Sequence, residues 1–299
     1  MRKIGVAMAW LLLWGGVASS QESPLAERPP IGRGVFGVRD EATGRVLKVW
    51  SARPADFGAG GRVLFVFHGV KRNARSYRDA WLAADRSERT LVLAPEFSAR
   101  DFPGSAGYAL GGVVDAAGQP RARERWSFRL VEQVFRSVER GLGLELSGYD
   151  MFGHSAGAQF VHRFVLFCPE ARLERAFAAN AGWYTFSAGA ARFPYGLADR
   201  PELARAAAKA YGRRLSVLLG ERDSDPRAPY LRQSSQAVAQ GAHRLARGLR
   251  FFGVAKADAA ERGLELRWSL DRVPRVGHDF RAMARAAAAL LARDAGGRR

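Results

Sequence analysis

Ser155 stands in the run Gly153-His154-Ser155-Ala156-Gly157, a G-x-S-x-G spacing that can expose one hydroxyl for attack on a carbonyl. An apolar segment, Tyr149 to Phe152, runs straight into the pattern. A helical segment, Ala156 to Phe167, leaves it with Phe160, Val161, Phe164 and Val165 recurring at helical spacing. A serine at such a strand-to-helix turn is held in a strained backbone conformation, and glycine two residues to either side relieves the crowding. The start of the helix also offers free N–H groups and the positive end of its dipole beneath the hydroxyl.

A serine hydroxyl is a weak nucleophile near neutral pH, so it needs a base, and the base needs an orienting acid. The chain has five histidines. His278, in Gly277-His278-Asp279-Phe280, lies between the last strand-like run and the final helix, where a loop can lower an imidazole onto Ser155. His154 flanks the serine, and its side chain is expected to point elsewhere. His162 on the helix and His243 in a basic helical region suit solvated or capping roles, and His68 suits bracing a loop. The acid should follow a strand between serine and histidine. Leu215 to Leu219 ends in Gly220-Glu221-Arg222-Asp223-Ser224-Asp225, where Asp223 is placed to fold back, with Asp225 and then Glu221 as alternatives. Two backbone donors must meet the developing oxyanion. The expected pair is the N–H of Ala156, directly after the serine, and the N–H of Val70, after Phe67-His68-Gly69.

The elements that must position these groups alternate along the chain. Val46–Trp50, Val63–Phe67, Thr90–Ala94, Tyr149–Phe152, Ala176–Ala181, Leu215–Leu219 and Leu264–Leu270 read as strands, most of them fully apolar and stopped by Gly or Pro. Such runs suit a parallel sheet covered on both faces. Arg125–Leu142, Ala156–Phe167 and Ala282–Leu291 read as helices, so the class is α/β with right-handed crossovers. Residues 21–34 read as a leader strand or loop, and 98–124 as a long loop. An excursion at 183–212 leaves the carboxyl end of a strand, where ligands sit in such sheets, and is a candidate lid or pocket wall. Its Trp183 and Tyr184, with Phe186, Phe193 and Tyr195 nearby, could line an acyl pocket or simply pack.

Composition narrows the classes further. Hydrophobic residues make up 47% and charged residues 25% of the chain, which excludes disordered, collagen-like and multi-pass membrane proteins. Lys and Arg number 47 against 29 Asp and Glu, for a net charge of +18, and only five of the cations are lysines. These cations are scattered with no run of five, so a solvated face is expected rather than a nucleic-acid interface. Arg2 and Lys3 precede the apolar stretch Val6 to Ala18 and the small residues Ala18-Ser19-Ser20, the pattern of an export signal over residues 1–20. That stretch is short of the roughly 20 residues a membrane span needs, although an uncleaved anchor is the alternative. Residues 21–299 are then expected as one exported domain, periplasmic or extracellular. Cys168 is the sole cysteine, so no intramolecular disulfide can form, and a buried inert thiol is expected.

Phe67-His68-Gly69, Gly153-His154-Ser155-Ala156-Gly157, Gly220-Glu221-Arg222-Asp223 and Gly277-His278, in this order, resemble the motifs of the α/β-hydrolase fold superfamily. Within it the chain is similar to secreted poly(3-hydroxybutyrate) depolymerase-like and feruloyl-esterase-like serine hydrolases. The resemblance implies an esterase without metal or cofactor that works through an acyl-enzyme on a small or oligomeric ester. A peptidase or amide hydrolase using the same residues is the alternative within enzymes, and a non-catalytic binding protein of this fold the alternative outside them.

Overall fold

The computed structural model describes residues 25–85 and 89–296; the expected export signal lies outside them. The apolar runs become strands because both of their faces are covered. In chain order the elements are β1 (Gly32–Arg39), β2 (Val46–Arg53), β3 (Arg62–Phe67), α1 (Ala74–Ala84), β4 (Thr90–Pro95), α2 (Gly104–Gly107), α3 (Arg129–Leu142), β5 (Tyr149–His154) and α4 (Ala156–Phe167). They continue with β6 (Leu173–Ala179), α5 (Pro201–Ala210), β7 (Leu215–Gly220), α6 (Ser235–Val238), α7 (Arg244–Glu261), β8 (Ser269–Val273) and α8 (Phe280–Gly296).

The strands form one eight-stranded sheet in the order β1-β2-β4-β3-β5-β6-β7-β8. β1 and β2 join antiparallel, and every pairing from β4 through β3 to β8 is parallel. Side chains alternate between faces along each strand. On β3, Val63, Phe65 and Phe67 enter one core with α3, α4 and α7, whereas Leu64 and Val66 enter a second core with α1 and α8. β3 leads through α1 to β4 on one side, and β5 leads through α4 to β6 on the other. The chain direction therefore diverges between β3 and β5, where α/β sheets open a crevice at their carboxyl ends.

Two elements differ from what the sequence leads one to expect. Glycine and arginine obscure β1, which pairs with β2 from Gly32 to Arg39 instead of ending as a leader at residue 34. The last strand begins at Ser269, not Leu264, and pairs with β7 alone. Leu266 and Leu270 still pack on the core, so the apolar alternation there reports burial ahead of ladder pairing. Among the described residues no helix is long and apolar enough to cross a membrane.

The arginine excess also departs from a purely solvated face. Arg163, Arg244 and Arg247 are among the largest fully buried side chains. Arg163 donates to Thr185 Oγ1 and to the Ala109 and Gln159 carbonyls, and Arg247 to the carbonyls of Gly182, Arg232 and Gly241. A guanidinium has five donors in a fixed fork, so one buried arginine can satisfy several loop carbonyls at once.

Candidate active site

Ser155 sits between the last residue of β5 and the first of α4, with φ 58° and ψ −115°. That conformation holds because its glycine neighbours admit no alternative residue. A Cβ on Gly153 would lie 2.2 Å from the Gly157 carbonyl oxygen, and one on Gly157 would lie 2.1 Å from that of Phe67. The turn is thus pressed against the end of β3. The Ser155 N–H donates to the Ala179 carbonyl (3.0 Å), which ties the turn to β6 as well. Beneath it α4 is buried along its whole length. Phe160 stacks on Phe67 at 4.6 Å and meets Phe128 edge-on at 4.8 Å, so truncating it would cost about 3–5 kcal/mol and loosen the seat of the turn.

His278 reaches Asp223: its Nδ1 lies 2.7 Å from Asp223 Oδ2. The two come from turns that interlock. The Arg222 N–H donates to the Val276 carbonyl (2.8 Å), and the Asn180 side chain donates to the Gly277 carbonyl (3.0 Å) while accepting from the Gly220 N–H (2.8 Å). Asn180, at φ 50° just beyond β6, therefore binds the acid turn to the histidine loop. Asp225 is exposed and caps its own turn through the Arg227 N–H, and Glu221 pairs with Arg272 at 2.9 Å. Of the three carboxylates after β7, the structure brings Asp223 to the imidazole.

Ser155 and His278 line one cavity of about 630 Å³ together with Gly69, Val70, Tyr77, His154, Pro229 and Arg244. Val70 is half exposed at its wall. Ala156 opens α4, where backbone N–H groups have no partner within the helix. His68 is fully buried below this wall. Its Nδ1–H donates to the Gly69 carbonyl (3.0 Å), and its Nε2 accepts from the Phe97 N–H (3.1 Å). Burial lowers its pKa to about 3, so the ring stays neutral and braces the loop.

His154 does not point away. Its ring lies 4.4 Å from that of His278, and Nδ1 is hydrogen-bonded to the Tyr77 hydroxyl (3.3 Å). Burial, reinforced by the charges of His278 and Arg244, holds its pKa well below the usual histidine range. Tyr77 from α1 and Phe280 from α8 stack at 4.3 Å beside it, each ring 6.4 Å from that of His154. His162 is not solvated either: its Nδ1 bonds the Ala158 carbonyl (2.9 Å) and its Nε2 accepts from the Thr185 N–H (3.2 Å). His243 caps α7, accepting from the Ala246 N–H (3.2 Å).

Trp183 and Tyr184, the candidate pocket residues, do not line the cavity. Both are buried in the core. The Arg163 and Arg232 guanidinium groups lie over the Trp183 ring at 4.1 and 4.8 Å, and Tyr184 stacks on Phe251 at 4.5 Å. The excursion at 183–212 turns its aromatic residues inward because α4 and α7 leave an apolar bed for them. The cavity wall is supplied instead by Ala228, Pro229 and Tyr230. Sequence reasoning misses Arg244 and Asn180. Arg244 is one arginine among many, while Asn180, a lone polar residue interrupting the apolar end of β6, is a usable signal.

An eight-stranded, mostly parallel sheet with a serine on a strained elbow after β5 defines the α/β-hydrolase fold. Poly(aspartic acid) hydrolase-1 from Sphingomonas sp. KT-1 superposes with a TM-score of 0.83 and 42% identity, covering 88% of this chain and 99% of that one. Poly(3-hydroxybutyrate) depolymerase LpqC from Bordetella parapertussis superposes with a TM-score of 0.81 and 34% identity, covering 88% and 90%. An S-formylglutathione hydrolase from Agrobacterium tumefaciens shares the fold at 15% identity and a TM-score of 0.52, covering 87% and 93%. No protein-family model matches the chain, and no curated protein does. The chain belongs to the α/β-hydrolase superfamily, in its poly(3-hydroxybutyrate) depolymerase-like group, and is a hydrolase.

Proposed function

We propose that the chain is an exported serine hydrolase of carboxylic esters, with residues 21–299 working as one domain and Ser155, His278 and Asp223 as its triad. The observation that carries this reading is the 2.7 Å contact of His278 Nδ1 with the buried Asp223, with His278 and Ser155 lining the same cavity. Ser155 Oγ attacks the ester carbonyl while His278 Nε2 takes its proton, and Asp223 keeps the ring oriented and stabilises the imidazolium. The N–H groups of Ala156 and Val70 receive the oxyanion. Collapse of the tetrahedral intermediate expels the alcohol, which leaves with the proton from His278. Water, deprotonated by the same imidazole, then attacks the acyl-enzyme, and the intermediate breaks to the free acid as His278 returns that proton to Ser155 Oγ. The test is labelling by a fluorophosphonate: wild-type protein should take up one equivalent with loss of p-nitrophenyl butyrate hydrolysis, and Ser155→Ala should take up none. Equal labelling of the two proteins, or of neither, removes the nucleophile.

A second reading keeps the same machinery but cleaves amide bonds in an anionic chain. It draws on the 42% identity to a poly(aspartic acid) hydrolase and on Lys71 and Arg281, both exposed at the cavity. Initial rates on poly(aspartic acid) against p-nitrophenyl butyrate decide between the two. Export follows from the expected signal at residues 1–20, and amino-terminal sequencing of the protein recovered outside the cytoplasm should begin at residue 21.

A further inference from the structure

Asp223 has two oxygens, and the imidazole uses one. The other faces a cation. Arg244 Nη1 donates to Asp223 Oδ1 at 3.3 Å, and Arg244 Nη2 donates to the Pro229 carbonyl at 2.9 Å. The two side chains are 2% and 3% exposed, so water screens this pair very little. Arg244 is the first residue of α7, whose Leu245 N–H donates to the backbone carbonyl of Asp223 (3.1 Å). The acid therefore rests against the positive end of an 18-residue helix as well as a guanidinium. Arg244 also lines the cavity, and its second contact holds the Pro229 segment that forms part of the wall.

Resting on the triad reading above, we propose that Arg244 is a positioning residue of the reaction: it clamps the Asp223 carboxylate in the orientation that presents Oδ2 to His278, and its charge tempers the acid's pull on the imidazole proton. The second effect has a definite sign. A cation beside the carboxylate offsets part of its negative field at the imidazole, so removing the cation should move the acid limb of the rate profile to higher pH. The other groups around His278 do not duplicate this role. His154, from the end of β5, and Tyr77, from α1, are buried and stay neutral, because burial lowers the first pKa and raises the second. Lys71, Asp279 and Arg281 stand exposed on the cavity wall, where solvent screens them.

The experiment compares the full chain carrying Arg244→Met, Arg244→Lys or Arg244→Gln, each with and without Asp223→Asn. kcat/KM for p-nitrophenyl butyrate is followed from pH 5 to 9, and thermal melting is measured alongside. Arg244→Met should lower kcat/KM by about 10–100-fold and move the acid limb of the profile upward by about half a pH unit or more. Arg244→Lys, which keeps the charge, should hold the limb near its wild-type position while recovering part of the rate. In the Asp223→Asn background, Arg244→Met should change the rate by less than about twofold, because its partner no longer carries charge. If Arg244→Met does not fold, the limb of Arg244→Gln against that of Arg244→Lys decides the question in its place. An unmoved limb in the uncharged variants, or an equal loss of rate in both backgrounds, overturns the proposal and leaves Arg244 a holder of the Pro229 segment. Failure of the triad itself appears separately, as wild-type protein that resists the fluorophosphonate.

Discussion

Ser155 and Asp223 both sit in turns that leave parallel strands, yet the two sides of the site differ in what fixes the reacting side chain. The serine side is made of backbone: a positive φ, two glycines pressed against carbonyl oxygens, and an apolar helix beneath. The acid side is made of buried charge and side-chain hydrogen bonds, with Arg244 on the carboxylate, Asn180 across two turns, and Arg247 gathering three carbonyls nearby. The first design tolerates no added atom. The second has a tight glycine of its own, since a Cβ on Gly220 would lie 2.6 Å from the Val276 carbonyl oxygen, but its acid is held by polar partners whose loss it does not tolerate. Substitutions on the two sides should therefore fail in different ways.

The largest effect is expected on the backbone side. Gly157→Ala would set a methyl 2.1 Å from the Phe67 carbonyl oxygen, which neither β3 nor α4 can yield without losing its register. Destabilisation beyond about 4 kcal/mol is expected, seen as loss of soluble folded protein and of the cooperative melt. A soluble, active Gly157→Ala would show that the elbow is softer than its contacts indicate.

Next in size is Asp223→Asn on the side-chain side. On the proposed triad, a neutral amide cannot hold the imidazole in its working tautomer, and kcat should fall by about 10⁴-fold, as it does for such an acid elsewhere. The fold should survive at reduced stability, because Arg244 is left buried without its carboxylate. Asp225→Asn is the control: its exposed turn should leave kcat within about twofold. Equal losses from the two variants would put the wrong acid in the site.

Arg247→Met sharpens the comparison, since it strips the acid side of hydrogen bonds without touching the cavity wall. The buried Gly182 carbonyl and the part-buried carbonyls of Gly241 and Arg232 lose their donor, for an expected cost of about 1–3 kcal/mol read from urea unfolding. kcat/KM of the folded fraction should stay within about threefold of wild type. A large drop in kcat with stability intact would assign Arg247 to the chemistry instead.

The same division explains what is legible in the sequence. Backbone constraints are written locally: Gly153 and Gly157 bracket Ser155 in the chain, and the apolar run before them announces β5. The elbow, α4 and the apolar strands can be read with their order, and so can the turn carrying Asp223 and the loop carrying His278. Side-chain constraints are not local. Arg244 meets Asp223 from 21 residues away, and Asn180 meets Gly277 from 97. Nothing in residue type separates Arg244 from the many arginines that face solvent, and only Asn180, polar at the apolar end of β6, leaves a local trace. Trp183 and Tyr184 mislead for the same reason, because an aromatic residue at a strand end is recruited by whichever apolar bed the distant helices provide. β1 is hidden by its glycines, whose weak strand preference is overridden by the partner β2.

The smallest effect concerns another Asp–Arg pair, this one between neighbouring strands at the far end of the elbow strand. Asp150 on β5 lies 3.2 Å from Arg62 on β3, and its side chain is 6% exposed while that of Arg62 is 34% exposed. Burial outweighs the partner's charge and raises the Asp150 pKa from 3.8 to about 6. A carboxyl with a raised folded-state pKa binds its proton more tightly in the native chain than in the unfolded one. Its contribution to stability is therefore fully present below about pH 4 and is lost as pH rises through about 6. A shift of this size corresponds to a penalty on the order of 2–3 kcal/mol at neutral pH. Asp150→Asn removes the titration and leaves a fixed offset from the lost ion pair. Unfolding free energies measured from about pH 4 to 7 should show the wild type losing ground to the variant across that window, with most of the change between about pH 4 and 6. Parallel curves would mean that Arg62 and water keep the carboxylate charged throughout, so that this half-open pair behaves as a surface contact and burial is decisive only where both partners are dry, as at Asp223 and Arg244.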